Sequence, residues 1–115
     1  MVVDVLSTTF SALSDPTRRA ILSALMLRPA SITELAQPFG MSQQAISKHL
    51  AYLERAQLVE KRRNGRQQVC HLVPGPLRDA AHWVELYRQH WEGAFSRLDG
   101  VLRTAAQRRR ARHNQ

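Results

Sequence analysis

The chain has 115 residues, enough for one hydrophobic core and too few for two domains with cores of their own. Hydrophobic residues make up 43% and charged residues 23%, an ordinary balance that excludes disorder along the whole length. There are 17 lysines and arginines against 9 acidic residues, so the net charge is +8 and the field attracts polyanions. Nucleic acid and anionic membrane are therefore the candidate partners. A chain of this length has no room for a separate catalytic domain.

Neither a membrane span nor an export signal is predicted. No apolar run approaches the roughly 20 residues needed to cross a bilayer, and Asp4 stands where a signal peptide would carry Lys or Arg. The single cysteine, Cys70, can form no intramolecular disulfide and can anchor no multi-cysteine zinc site. We therefore expect a cytoplasmic protein without membrane contact.

Two amphipathic helices are predicted at the start of the chain. In the first, Leu6, Phe10 and Leu13 recur at i, i+4 and i+7 and share one face. The second begins at Asp15, which can cap a helix, and Pro16, which suits the first helical position. The apolar face of the second helix is formed by Ile21, Leu22, Leu25 and Met26.

A short helix and a longer one follow, separated by a turn that contains glycine. Ser31 and the glutamate three residues later have the spacing of a capping box, in which each side chain satisfies a free amide. Pro38 and Gly40 end this short helix, and Ser42 caps the next, which we expect to run to about Ala56. Two helices joined in this way are predicted to form a helix-turn-helix.

The pattern then changes to two short runs, residues 58–62 and 67–73, on either side of Asn64-Gly65. Asn-Gly favours a type I′ turn because both residues accept positive φ, so we predict a β-hairpin that Pro74 to Pro76 closes. The fold is therefore predicted to be mainly α with a small two-stranded β-wing, which is a winged helix-turn-helix.

A long helix is predicted from Leu77 to about Ala106, with apolar residues at helical spacing along one face. These residues complete a single domain over residues 1–106. Residues 107–115 are rich in arginine without apolar periodicity, and we expect them to form a flexible basic tail. The stripe consists of Ala80, Val84, Tyr87, Trp91, Ala94 or Phe95, Leu98 and Leu102.

The helix that begins at Ser42 has a polar face suited to reading base edges. Successive residues of a helix are about 100° apart, so Ile46, Leu50 and Leu53 fall on one side, which we expect to face the core. Glutamine can pair with adenine, serine with several base edges, and lysine with guanine or phosphate. An ordinary solvated face is the alternative interpretation. The predicted DNA-reading residues are Ser42, Gln43, Gln44, Ser47, Lys48 and His49.

Four cations gather around the hairpin turn, namely Lys61, Arg62, Arg63 and Arg66. A surface hairpin does not need four mutually repelling cations in order to fold. Beside a DNA-reading helix, however, they would contact phosphates or the adjacent minor groove. A charged edge that blocks strand pairing is the alternative. We therefore predict that the wing binds the DNA backbone.

With these residues laid out, the chain resembles the ArsR-type winged helix-turn-helix repressors of bacteria from about residue 10 to residue 102. The most specific segments are residues 13–22, 42–50 and 58–66. The resemblance implies a homodimer built from the first and last helices, which places two recognition helices in successive major grooves of an imperfect palindrome. The implied dimer interface comprises Leu6, Phe10, Trp83, Val84, Tyr87, Trp91, Phe95, Leu98 and Leu102.

No metal or other cofactor is predicted, although many ArsR-type repressors release DNA when a metal binds. Residues 33–37 contain none of the cysteines that metal-sensing relatives carry there. A second family site, across the dimer, could be sought on the last helix, but His90 lies about 80° around the helix from His82. Exposed polar residues explain these positions more simply. The candidates weighed are Asp79, His82, Glu85, His90 and Glu92.

The sequence also contains candidates for other sensor sites and other functions. Cys70 suits a small apolar filler better than a redox sensor, and the aromatic residues of the last helix suit a dimer core better than an organic-ligand pocket. An inducer therefore stays unidentified. We predict a sequence-specific regulator of double-stranded DNA, with a non-specific architectural or RNA-binding protein as the alternative. An enzyme is not predicted, because no glycine-rich phosphate loop or acidic pair is evident.

Overall fold

The computed structural model describes residues 4–113 and divides into two compact units, with the division between Ala80 and Ala81. Within the described residues, the first unit holds four helices, three strands and the start of a fifth helix, and the second unit is the rest of that helix. The elements are α1 (Val5–Ala12), α2 (Pro16–Leu27), β1 (Ala30–Ser31), α3 (Ile32–Phe39), α4 (Gln43–Arg55), β2 (Val59–Asn64), β3 (Gln67–Leu72) and α5 (Pro74–His113).

Side-chain caps fix the starts of α2, α3 and α4 as the sequence predicted. The Asp15 carboxylate accepts a hydrogen bond from the Arg18 backbone N–H at 2.9 Å. The Ser31 hydroxyl accepts from the Glu34 N–H and the Glu34 carboxylate accepts from the Ser31 N–H, both at 3.2 Å, so the capping box is confirmed. Ser42 caps α4 through a bond of 3.1 Å. The predicted helix-turn-helix is formed by α3 and α4.

Helix α3 ends later than predicted. We expected Pro38 to break it, but the helix includes Pro38 and continues to Phe39. A proline at this position removes one backbone hydrogen bond and crowds the carbonyl four residues earlier, and the helix includes only one further residue after it. The helix ends at Gly40, whose φ of +60° lies in the left-handed region that glycine adopts without strain.

Strands β2 and β3 form an antiparallel hairpin, as predicted, but its turn differs. Asn64 pairs with Gln67, so the two central residues are Gly65 and Arg66 rather than Asn64 and Gly65. Positive φ occurs at Gly65 (+66°) and not at Asn64. Positive φ at the first central residue alone is typical of type II′, so the predicted type I′ turn was wrong.

A third strand, which the sequence pattern did not indicate, extends the hairpin. Strand β1 pairs antiparallel with β3, with Ala30 opposite Cys70, and the sheet order is β1-β3-β2. A strand of two residues is too short to show an alternation in sequence. Because Ser31 is also the N-cap of α3, this pairing fixes the start of α3 against the wing.

The core of the first unit confirms the predicted inner side of α4. Ile46, Leu50 and Leu53 are fully buried, and they pack with residues of α2 and the sheet. Ile21 of α2 is also fully buried. Met26, expected on the same apolar face, is 63% exposed, and that expectation was wrong because Met26 lies about 140° around the helix from the fully buried Ile21.

Helix α5 is longer than predicted at both ends, since it begins at Pro74 instead of Leu77 and ends at His113 instead of near Ala106. Pro74 and Pro76 were expected to close the hairpin. They stand instead in the first turn of the helix, where a missing N–H costs little because those amides have no partner within the helix.

In the second unit, α5 carries a row of aromatic side chains four residues apart. Trp83 stacks on Tyr87 with the ring centroids 5.3 Å apart, and Trp91 lies 5.6 Å from Tyr87 and 5.8 Å from Phe95. These four side chains are between 38% and 58% exposed in the single chain. The apolar residues Val84, Leu98 and Leu102 are 47%, 53% and 58% exposed.

Replacing Leu50 with alanine should lower the free energy of unfolding by about 2–5 kcal/mol, because a fully buried leucine leaves a cavity. Leu27→Ala is the matched control, since Leu27 is 88% exposed and its loss should change stability by less than about 0.5 kcal/mol. Urea unfolding followed by circular dichroism at one fixed chain concentration measures both. Equal losses would contradict the assignment of the core.

Candidate nucleic-acid interface

The outer side of α4 exposes the two residues best placed to reach a ligand. Gln44 and Lys48 are both exposed and lie away from the buried side that holds Ile46 and Leu50. Among residues 4–113, no hydrogen bond or ion pair engages either side chain. Ser47, one residue before Lys48, is half-buried on the shoulder of the helix. Gln44 and Lys48 therefore carry polar groups that are available to a partner.

The two residues at the start of α4 are partly engaged within the protein. The Ser42 hydroxyl accepts the capping hydrogen bond from the Ala45 N–H. The Gln43 side-chain amide donates to the Thr33 hydroxyl of α3 at 3.3 Å, although both residues have exposed surface. Gln43 therefore joins the two helices of the helix-turn-helix at the surface where the sequence predicted DNA contact.

His49 is turned toward α2. Its Nδ1 lies 3.8 Å from Asp15 Oδ2, and its side chain is 23% exposed. The hydrogen bond from the Arg18 backbone N–H lowers the pKa of the Asp15 carboxyl, and the nearby charges of His49 and Arg18 lower it further. The structure thus brings His49 into contact with the start of α2 and separates it from Gln44 and Lys48.

A second contact between α2 and α4 involves Arg18. The guanidinium carbon lies 4.0 Å from the centre of the Tyr52 ring, a distance typical of a cation–π contact. Its Nε donates to the Ala12 carbonyl at 2.8 Å, and Nη2 donates to the Ser11 carbonyl at 3.1 Å. Arg18 therefore links the end of α1 to α4, the second helix of the helix-turn-helix.

The four cations of the wing fall into two pairs. Lys61 Nζ lies 3.4 Å from Glu54 Oε2 of α4, and Arg62 Nη2 lies 3.3 Å from Glu60 Oε2 of its own strand. Arg63 and Arg66 are exposed and form no ion pair with any acidic residue in the described part of the chain. Half of the predicted phosphate-binding charge is thus neutralised within the protein, and half is available.

A polar groove with a volume of about 310 Å³ lies where α3, α4 and the wing come together. The sequence pattern did not indicate that Thr33, Gln67 and Gln68 belong to the interface. No local pattern could have placed them there, because their position depends on the pairing of β1 with β3. The groove is lined by Ser31, Ile32, Thr33, Gln43, Ser47, Arg66, Gln67 and Gln68.

Residues 15–61 match the model of a bacterial regulatory protein family, the arsR family. The transcriptional repressor SdpR of Bacillus subtilis is 33% identical over 79 residues, which cover 69% of this chain and 88% of SdpR. The regulator Rv2034 of Mycobacterium tuberculosis is 42% identical over 68 residues, which cover 59% of this chain and 64% of Rv2034. The chain belongs to the ArsR family.

Solved structures agree with this membership. The ArsR-family regulator RHA00566 superposes with a TM-score of 0.70 at 35% identity, and the match covers 77% of this chain and 98% of that one. The homodimeric winged helix-turn-helix domain of Mb0332 from Mycobacterium bovis superposes with a TM-score of 0.63 at 27% identity, over 77% and 83% of the two chains. The predicted winged helix-turn-helix fold is confirmed.

Two of the candidate metal ligands in this ArsR-family chain, Glu85 and Glu92, form ion pairs with Arg88. Arg88 Nη2 lies 2.6 Å from Glu85 Oε1, and Nη1 also binds Glu92. The hydrogen bond from Arg88 lowers the pKa of Glu85, and the two carboxylates raise the pKa of Arg88. Within residues 4–113 of the single chain, no group of three or more His, Cys, Asp or Glu side chains is placed to hold a metal ion.

Cys70 is fully buried in the central strand of the sheet. Burial raises the pKa of its thiol, with an opposing effect from Lys61 and a smaller reinforcing one from Glu54. The neutral thiol is therefore favoured, which suits a packing role more than a reactive one.

Over residues 4–113, no helix has both the length and the apolar character that crossing a membrane requires.

Substitution of Asp15 by asparagine should flatten the acid end of the stability profile. Asparagine can still cap α2, but it does not titrate. Because the folded-state pKa of Asp15 is depressed, its carboxylate contributes stability above the unfolded value of about 3.9, and that contribution is lost as pH falls through the folded pKa. In urea unfolding, the difference in free energy of unfolding between wild type and Asp15→Asn should be larger at pH 6 than at pH 2.5. A difference that is the same at both pH values would contradict the assignment.

Proposed function

We propose that this ArsR-family protein is a sequence-specific transcriptional regulator that binds a palindromic operator as a homodimer and represses transcription. The observation that carries the proposal is the available polar face of α4 beside a wing whose Arg63 and Arg66 have no acidic partner in the described chain. Gln44 and Lys48 would read bases in the major groove, and the two arginines would bind phosphates. Repression is supported by the likeness to SdpR, which is named a transcriptional repressor.

The groove between α4 and the wing supports this mode of binding. When a recognition helix lies in the major groove and a wing reaches the adjacent minor groove, the sugar-phosphate strand that separates the grooves passes between them. The Thr33 hydroxyl, the Gln43 amide and the Arg66 guanidinium line that path. Hydroxyl, amide and guanidinium groups are the usual donors to phosphate oxygens. Thr33 therefore joins the proposed DNA-binding residues.

The remaining predicted DNA-binding residues take supporting roles in the proposal. Lys61 bonds to Glu54 of α4 and so holds the wing at a fixed position beside the helix. Arg62 is held by Glu60 and would reach a phosphate only by exchanging that partner. His49 orients α4 through Asp15. Ser47 lines the groove and would contact the backbone strand there. Ser42, whose hydroxyl caps α4, would contact the strand at the start of the helix.

The homodimer is proposed from the exposed apolar surface. The row of aromatic side chains on α5 forms a continuous exposed apolar stripe, a kind of surface that marks protein–protein interaction sites. In α1, Phe10 is 38% exposed and Leu6 is half-buried. Mb0332, which shares the fold, is described as homodimeric. The proposed interface is the one predicted from sequence: Leu6, Phe10, Trp83, Val84, Tyr87, Trp91, Phe95, Leu98 and Leu102.

A genomic binding experiment tests the whole proposal. Fragments enriched by the protein should share a palindromic site, and a footprint on that site should protect two half-sites about one helical turn apart. We place the protein in the cytoplasm, where the bacterial chromosome is accessible to it, and propose no inducer. Equal affinity for the enriched site, random duplex and RNA would instead support the non-specific alternative.

Gln44→Ala and Arg63→Ala should separate base reading from phosphate binding. Loss of a bidentate base contact costs about 1–3 kcal/mol at one base pair, so Gln44→Ala should lower the preference for the site over a mutated site. Arg63→Ala should weaken binding to all duplexes alike and reduce the slope of log affinity against log salt by about 0.9 for each lost contact. Fluorescence anisotropy titrations measure both, and identical profiles for the two variants would refute this division.

Phe95→Asp should convert the dimer to monomer, because a carboxylate in the centre of an apolar interface loses its hydration without gaining a partner. Leu27→Asp is the matched control, since Leu27 is 88% exposed on α2 and lies outside the proposed interface. Sedimentation equilibrium distinguishes the two masses. A dimer that survives Phe95→Asp, or dissociates equally with Leu27→Asp, contradicts the interface.

A further inference from the structure

The far end of α5 has an unusual charge distribution. Residues 100–115 contain five arginines and no acidic residue, so they contribute +5 to the net charge of +8. Four of the five lie at residues 107–113, through which α5 remains helical. We call the five side chains the arginine end; they are Arg103, Arg108, Arg109, Arg110 and Arg112.

The arginine end is exposed and covers more than half of the helix circumference. Each of its five residues is exposed. Successive residues are about 100° apart, so Arg108, Arg109 and Arg110 alone span about 200° of the circumference. A rise of 1.5 Å per residue places Arg103 and Arg112 about 14 Å apart along the axis. The apolar stripe ends before Arg108, so this segment lacks the two-faced character of a helix that lies on a membrane.

Ion pairs within the helix do not account for these charges. Upstream in α5, Arg88 is neutralised by Glu85 and Glu92. In the arginine end, Arg103 Nε donates to the Asp99 backbone carbonyl at 3.4 Å, and no ion pair is formed within residues 4–113. The helix dipole favours cations in the last turn only, which accounts for Arg110 and Arg112 and leaves Arg103, Arg108 and Arg109 unexplained.

We infer that the arginine end is a second DNA-binding surface, which contacts phosphates of the duplex flanking the operator without reading sequence. The inference rests on the proposed function, and it adds a site that the helix-turn-helix and the wing do not include. Exposed guanidinium groups without acidic neighbours bind phosphate well, and each phosphate neutralised releases condensed counterions. An arginine distribution that covers more than half of the helix circumference suits a backbone contact that needs no fixed register.

A triple variant with a charge-matched control tests the inference. Arg108→Gln, Arg110→Gln and Arg112→Gln together remove three charges from the arginine end. Arg28→Gln, Arg78→Gln and Arg97→Gln remove three exposed charges elsewhere, so both proteins have the same net charge. Affinity is measured against salt on two duplexes, one with only the operator and one with 15 additional base pairs on each side.

The triple variant should lose affinity on the long duplex, with the slope of log affinity against log salt reduced by about 0.9 for each phosphate contact removed. On the short duplex it should match wild type, and the ratio of operator to random affinity should be unchanged. The control should match wild type on both duplexes. Lysine at the same three positions should preserve most of the slope, because the charge remains.

Three results would overturn the inference. The control variant could lose as much affinity as the triple variant, which would show an effect of net charge alone. The lysine variant could lose as much as the glutamine variant, which would show a structural role. The triple variant could bind the long duplex normally while losing binding to RNA or to phosphatidylglycerol vesicles. Failure of the proposed function is separate, because wild type would then show no preference for any duplex sequence.

Discussion

Burial of one side of α4 is the constraint on which the DNA-binding surface depends. Ile46, Leu50 and Leu53 have no exposed surface. Moving each side chain from the core into water would cost about 1.5–3 kcal/mol. Because the three positions lie on one side of a helix, their burial fixes the rotation of α4 about its own axis. That rotation turns Gln44 and Lys48 outward, and it decides which side of α4 faces the groove and the wing.

Polar contacts then fix α4 against its neighbours on three sides. Asp15 and Arg18 of α2 reach His49 and Tyr52, Gln43 bonds to Thr33 of α3, and Glu54 bonds to Lys61 of the wing. Each contact is partly exposed, and a single exposed ion pair contributes little to stability. Their combined effect is orientation, since a surface held in its binding geometry loses less entropy when DNA binds.

Ion pairing also separates the cations by role. Lys61, Arg62 and Arg88 lie within 4 Å of carboxylates, where they hold strands and helix turns in place. Arg63, Arg66 and the arginine end form no such pair in the described chain. The net charge of +8 does not show this division, because it counts all cations alike. In the proposed function, the second group supplies the contacts with phosphate.

The sequence by itself determined the helices, their caps and the buried side of α4, because these follow from local spacing and from hydrogen bonds between residues three apart. It determined the hairpin, and the family through residues 13–22, 42–50 and 58–66. Tertiary structure decided the rest: Asn64 pairs with Gln67 and shifts the turn, β1 adds to the sheet, and Thr33 enters the groove. It also turned His49 toward Asp15 and paired Lys61 with Glu54. These features depend on contacts between residues far apart in the chain. The local sequence pattern does not show which distant residue a side chain contacts.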